Sequence, residues 1–305
     1  MSRLAIIYEQ DQWLRPLFAE LDRRGTDYRA IHSDGLGFDP AAPAPPAPLI
    51  FNRIAMSSFL RSPDHPIFFA QSLFAAWEEA GARIVNGPRA LAVDSSKARQ
   101  LALIASLGHA IPATRVVHRV ADIPAAASEL NFPLVVKANI GGSGAGIMRY
   151  DSLEQLIAFA AEGMVPESID KVWLVQDFVP ARGGRILRFE ILDGKLLYAL
   201  SIDGGGGFDL CPADACQAAP GRASIKIERA EPDPRLVAAA EQIVAAAGID
   251  VGGVEALIDD RDGVARFFDI NGFSNFVADP LTVLGWDPHV TLVDWLDQQQ
   301  KDSAR

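Results

Sequence analysis

The stretch Val251 to Phe276, VGGVEALIDDRDGVARFFDINGFSNF, constrains this chain more than any other. It reads as two β runs, Gly253 to Ile258 and Val264 to Ile270, joined by an Asp-rich turn that Gly263 closes. A three-residue loop of Arg261, Asp262 and Gly263, with the glycine left-handed, pairs Asp260 with Val264 and sets Glu255 opposite Asp269. Asn271, two residues beyond Asp269, shares its face of the strand. Like charges directly across an antiparallel pair are destabilising unless something positive lies between them. The pattern therefore suits a hard cation such as Mg2+, which takes oxygen ligands and shares them with phosphates. The competing reading is a surface hairpin with solvated acids; Phe267, Phe268, Ile270 and Phe273, which surround Asp269 and Asn271, weigh against it.

A chain of 305 residues is long enough for about two domains and a substantial core. Its 49% apolar and 22% charged residues are those of an ordinary globular protein. The net charge of -11 excludes a general basic face, so no nucleic-acid partner is expected, although lysines and backbone amides can still focus an anionic nucleotide locally. The start, MSRLAIIYEQDQW, holds only a five-residue apolar run, too short for a signal peptide or membrane span. A cytoplasmic protein without a membrane partner is the expectation. Cys211 and Cys216 make no disulfide framework or metal knuckle and read as ordinary thiols. The five histidines are scattered and receive no role.

The chain opens with a βαβ pattern: strand Leu4 to Tyr8, helix Trp13 to Arg24 stopped by Gly25, and strand Asp27 to Ile31, without a dinucleotide-binding glycine fingerprint. The run PAAPAPPAP, Pro40 to Pro48, is an irregular connector, and a strand follows from Leu49 to Asn52. Arg53, Ser57, Ser58 and Arg61 come next, either in the ligand crevice of an α/β sheet or in a solvated loop. Helix Ile67 to Ala80 and strand Arg83 to Asn86 lead to a break at Gly87-Pro88.

Asp94 is expected to cap a helix running to Leu107, with Lys97 in its first turn, where the macrodipole disfavours a cation. Either an anion lies between Lys97 and the free helix amides, or Lys97 is a surface lysine. Lys137 ends the strand Leu134 to Ala138, and the loop NIGGSGAGI follows, with Gly141, Gly142, Gly144 and Gly146 around Ser143. Its glycines let backbone amides approach phosphate oxygens, yet no Walker motif closes it, and it leads into a strand; it is a phosphate flap or a plain mobile turn. Farther on come QDFVP, Gln176 to Pro180, a hairpin turning at Asp193-Gly194, a loop from Asp203 to Arg222, helix Pro234 to Gly248 and a last helix from His289 to Gln298.

Lys97, Lys137, the glycine loop, QDFVP, and then Glu255 with Asp269 and Asn271, in that order, resemble the ATP-grasp superfamily, and most closely its RimK-type carboxylate-amine ligases. That resemblance covers about residues 86 to 275. It implies an α/β fold with a Rossmann-like N-terminal domain (1–88), a central subdomain carrying the flap (89–175) and a C-terminal subdomain carrying the metal site (176–305), the nucleotide lying between the last two. The cofactors implied are ATP and Mg2+. Lys97 and Lys137 would reach the phosphates, and Gly141, Gly142, Ser143, Gly144 and Gly146 would cover them. The segment Gln176, Asp177, Phe178 and Val179 would hold the adenine, Glu255, Asp269 and Asn271 would hold Mg2+, and Arg188 in RILRFE would lie near the transferred phosphoryl group. Asp269 stands where the family pattern has Glu, and Ile186 where an acid usually binds the ribose, leaving Asp177 or Glu190 for that contact. The run GGGGFDLCPADAC replaces a loop that normally faces substrate.

The activity implied is ATP-dependent joining of a carboxylate to an amine through an acylphosphate, with ADP and phosphate released. The substrate is expected to be an amino acid or small peptide bound by Arg53, Ser57, Ser58, Arg61 and Asn275. Two alternatives stay open: a ligase acting on a peptide or carrier protein, and a non-catalytic nucleotide-binding regulator of the same fold. A homodimer also stays open.

Overall fold

Among the described residues three sheets organise the fold, and each follows from the patterning of its strands. The computed structural model describes residues 2–142, 144, 146–205 and 225–302. The first sheet is parallel, in the order β2-β1-β3-β4, and comprises β1 (Leu4–Tyr8), β2 (Tyr28–His32), β3 (Leu49–Arg53) and β4 (Arg83–Val85). β3 is buried throughout, as a central parallel strand between helical layers must be. Helix α1 (Asp11–Arg24) buries Leu14, Leu17 and Leu21, one stripe at helical spacing, and Gly25 terminates it at φ 67°, donating its N–H to the carbonyls of Leu21 and Asp22. Helix α2 (Ile67–Glu79) buries Leu73, Phe74 and Trp77.

The second sheet, in the order β5-β8-β6-β7, is antiparallel: β5 (Thr114–Val117), β6 (Leu134–Ala138), β7 (Ile147–Tyr150) and β8 (Trp173–Asp177). The third, also antiparallel, runs β11-β10-β9-β12-β13 and comprises β9 (Ala181–Leu192), β10 (Lys195–Asp203), β11 (Lys226–Ala230), β12 (Val251–Asp259) and β13 (Ala265–Asn271). Helix α7 (Pro234–Ala247) covers one face of this sheet, its Ile243 and Val244 joining Phe189, Val254 and Phe267 in one apolar cluster. The shorter helices α5 (Ile123–Ala127) and α6 (Leu153–Ala161) pack on the second sheet.

Between β4 and β5 in the chain come α3 (Pro88–Asp94) and α4 (Lys97–Ser106), which pack against the third sheet. After β13 come α8 (Pro280–Val283) and α9 (Pro288–Asp302), and α9 returns to pack on α1. One apolar cluster therefore joins Leu4, Phe51 and Leu17 with Val251, Leu292 and Leu296, fusing the two ends of the chain. Asn86 adds a polar clamp: its Oδ1 accepts the N–H groups of Asp250 (2.8 Å) and Val251 (3.1 Å), while its Nδ2 donates to the carbonyls of Val251 and Gly272. All described helices are too short or too polar to cross a membrane.

Several sequence expectations need correction. Asp94 does not cap the helix bearing Lys97; it ends α3, a helix the sequence reading passed over, and Ser96 caps α4 by accepting Arg99 N–H at 3.3 Å. β11 was also missed, because Lys226–Ala230 has no apolar alternation. Cys211, Cys216 and most of the loop expected over 203–222 lie outside the described residues.

Candidate active site

The β12–β13 hairpin sets the geometry. Glu255 faces Asp269, as the spacing predicts, but by a different route. Ile258 pairs with Ala265, and Asp259 N–H bonds to the Val264 carbonyl, so the turn is one residue longer than expected. Ala256 then pairs with Phe267, leaving Phe268 as an extra residue on β13, and this bulge restores the Glu255–Asp269 register. The bulge turns the consecutive side chains Phe268 and Asp269 toward the same cavity, while Phe267 packs on the helix-covered face.

Each carboxylate holds a cation. Lys97 Nζ pairs with Asp269, and Arg188 Nη1 donates to Glu255 at 2.9 Å. Arg188 sits directly across from Glu255 on the neighbouring strand β9, and its Nε donates to fully buried Glu190 at 2.6 Å. Burial pushes the Glu255 carboxyl up to about 7, with the Asp269 charge adding to the effect and Arg188 opposing it. Burial also works against the Lys97 ammonium, but Asp269, Glu255 and Asp94 outweigh it and hold Lys97 above the usual lysine range. Lys137 is buried with no ion-pair partner among the described residues; desolvation, reinforced by Lys97, draws it down to about 7.

The strand end and α4 are locked together from behind. Gln100 makes both halves of a strand-like pairing with Ile270, donating to its carbonyl at 2.9 Å and accepting its N–H at 3.0 Å. Asp94 accepts Gly272 N–H at 2.9 Å and is pushed up to about 7 by burial. A side chain at position 272 would meet Asp94 at 3.1 Å.

The first amides of α4 are already used. Lys97 N–H goes to the Asn139 carbonyl, and Ala98 N–H to Asn139 Oδ1. Asn139, the residue that opens the glycine loop, thus takes the helix amides for which an anion was one of two expectations, and Lys97 pairs with Asp269 instead of standing as a surface lysine.

These groups line one cavity of about 350 Å3. Its charged end holds Lys97, Lys137, Arg188, Glu255, Asp269 and Asn271. Toward the second and third sheets the lining turns apolar, with Val135, Ile147, Ile186 and Leu257, and Gln176 to Val179 also line it. Gly141, Gly142 and Gly144 roof the cavity; Gly146 joins β7, and Ser143 lies outside the described residues. A Cβ at Gly142 would stand 2.7 Å from the Ser57 Cβ, so the loop touches the first sheet's crevice only because it is glycine.

Ser57 and Asn275 line the cavity, whereas Arg53, Ser58 and Arg61 lie behind its wall. Of the two acids left open for a ribose, Asp177 lines the cavity and accepts Asn131 N–H at 3.2 Å, while Glu190 lies behind it on Arg188. Trp13, Phe268 and Phe273 line the site without having been singled out for it, since aromatic residues in helices and strands read first as core.

Chemically, the charged end offers two carboxylates and a carboxamide for a hard cation, and two lysines under a glycine roof for phosphate oxygens. Asn271 Nδ2 is buried with no partner among the described residues, a polar group left for a guest. Among those residues no three His, Cys, Asp or Glu side chains cluster to hold a metal alone. The set is of the incomplete kind that Mg2+ completes with phosphates and water.

No protein-family model matches the chain, and no curated protein matches it in sequence. Solved structures do. A RimK-domain ATP-grasp protein from Sphaerobacter thermophilus superposes with a TM-score of 0.68 at 19% identity, covering 95% of this chain and 98% of that one. The ATP-grasp ligase PsnB, complexed with a minimal precursor, Mg and ADP, gives 0.68 at 16% identity over 98% and 97%. A D-alanine–D-alanine ligase from Bacillus anthracis complexed with ATP gives 0.67 at 14% identity over 99% and 97%. The chain has the ATP-grasp fold.

Proposed function

We propose that the protein is an ATP-dependent carboxylate-amine ligase that forms an amide or peptide bond and releases ADP and phosphate. The observation that carries this reading is the convergence of Glu255, Asp269 and Asn271 with Lys97, Lys137 and Arg188 beneath a glycine roof. The neighbours lend support, PsnB being described with Mg, ADP and a precursor, and the D-alanine–D-alanine ligase with ATP.

In this reading Glu255, Asp269 and Asn271 hold Mg2+, which when bound neutralises phosphate charge. The chain's own side chains supply the rest. Lys97 and Lys137 bind phosphate oxygens, and Arg188, kept charged between Glu190 and Glu255, faces the transferred group. Gly141, Gly142, Ser143, Gly144 and Gly146 exclude water. The base lies in the apolar end against Gln176, Asp177, Phe178 and Val179. Phosphoryl transfer needs positioning and charge neutralisation rather than a protein nucleophile, and the site offers both.

The alternative of a ligase acting on a peptide or carrier protein draws on PsnB, described with a precursor. Against a purely regulatory nucleotide-binding protein stands the presence of Glu255, Asp269 and Asn271 together with both Lys97 and Lys137. The test is ADP release measured with pooled amino acids and small peptides, followed by mass analysis of the product. Substrate-dependent ADP release with a condensation product supports the ligase; nucleotide binding without such release supports the regulator.

A further inference from the structure

We infer that the cavity beyond Asn271 is a subsite for an apolar or aromatic side chain, walled by Trp13 and Phe273, with Arg53 and Arg61 acting behind that wall as positioning residues. The inference rests on the ligase reading only in naming the occupant as the carboxylate substrate, an amino acid or short peptide.

The wall adjoins the charged end through the chain itself, for Phe273 and Asn275 follow Asn271 at alternate positions and all three line the cavity. Trp13, from the first turn of α1, meets Phe273 with ring centroids 5.7 Å apart. Met56 and Phe276 complete an apolar surface.

Each ring is backed by a guanidinium group. Arg61 lies over Trp13 at 4.4 Å, and Arg53 over Phe273 at 4.1 Å. Neither arginine lines the cavity, so the rings stand between the cations and the substrate space.

Arg61 is also committed elsewhere, and Arg53 in part. Arg61 forks onto Glu9 through Nε and Nη2 and donates Nη1 to Ser57 Oγ at 3.2 Å. Arg53 Nη2 donates to the Ser274 carbonyl and to Asn275 Oδ1, fixing the segment that carries Phe273. The guanidinium groups thus orient aromatic rings, Arg61 being neutralised by Glu9, while Arg53 Nε and Nη1 are buried without a partner among the described residues.

The surface that the rings present to the cavity is apolar, and the two guanidinium groups lie behind it rather than in it. Burying a charge against that surface without a partner is heavily penalised. An apolar or aromatic side chain loses nothing and gains the ring contacts. The substrate class is therefore large apolar or aromatic amino acids, or peptides ending in them.

Two measurements test this. In the first, ADP release is recorded for pairs of amino acids drawn from aromatic, large aliphatic, dicarboxylic and basic sets. Turnover confined to pairs with an aromatic or large aliphatic member is expected. Trp13→Ala and Phe273→Ala should each raise KM for that member about tenfold or more without moving KM for ATP, and Trp13→Phe should restore it. Turnover that requires aspartate or glutamate overturns the subsite while leaving the ligase reading intact.

The second measurement needs no turnover. Saturation-transfer NMR on the wild-type protein with Mg2+ and a non-hydrolysable ATP analogue compares phenylalanine- and leucine-ended dipeptides with glutamate-ended ones. Preferential saturation of the apolar set, lost in Phe273→Ala, supports the subsite; equal or reversed preference contradicts it. Absence of ADP release with every pair would count against the ligase reading alone.

Discussion

Glu255 and Asp269 face each other across β12 and β13, and each is held by a cation from another element, Arg188 from β9 and Lys97 from α4. This buried quartet places two acids where a strand pair would ordinarily tolerate neither, and its proton balance has measurable consequences.

The first concerns pH. A carboxyl with a folded pKa above its ordinary value stabilises the fold while protonated; that contribution is complete below 4.5 and lost as pH rises through about 7. Glu255→Gln removes this dependence. The Tm difference between variant and wild type, without ligand, should move in favour of the variant between pH 5 and pH 7.5. A difference that stays flat would show that Glu255 titrates normally.

Lys137 carries the opposite sign. Its ammonium is drawn down from 10.5 to about 7 by burial and by Lys97, so its charge costs stability fully below pH 7, fading toward pH 10.5. Lys137→Met should raise the ligand-free Tm at pH 6, since it removes a buried charge that desolvation disfavours. The same variant should lose nucleotide-dependent turnover. A lower Tm would mean that Lys137 is not desolvated.

The roof can be tested by contact. A methyl group at position 142 would overlap Ser57, and overpacking of this kind costs about 1–3 kcal/mol. Gly142→Ala should therefore raise KM for ATP about tenfold or more, with Ser57→Gly near neutral. The double variant should recover most of the loss, a coupling that independent sites would lack. Additive effects would contradict closure of the loop on Ser57.

Much of this site was legible in the sequence because its residues lie on elements with strong local patterns. The Glu255–Asp269 opposition came out right although the turn was counted one residue short, since the bulge at Phe268 adds the missing residue to the same strand. Turn length and bulges are set by local backbone geometry that alternation alone does not encode. Gln100 and Asn139 were illegible for another reason. Their amides satisfy backbone groups distant in sequence, Ile270 in one case and the start of α4 in the other, and nothing in their own neighbourhoods marks them. Arg53 and Arg61 were legible as residues of the crevice but not as ring supports, because their partners Trp13 and Phe273 lie on α1 and beyond β13.

The most direct test is Asp269→Asn in the substrate-dependent ADP-release assay. The substitution keeps the size of the side chain while removing the charge that Lys97 and a bound cation would share. The expected result is a loss of about a hundredfold or more in turnover, with far-UV circular dichroism unchanged and the response to raised Mg2+ weakened. Turnover within a few-fold of wild type would contradict a cation-dependent ligase centred on the β12–β13 hairpin.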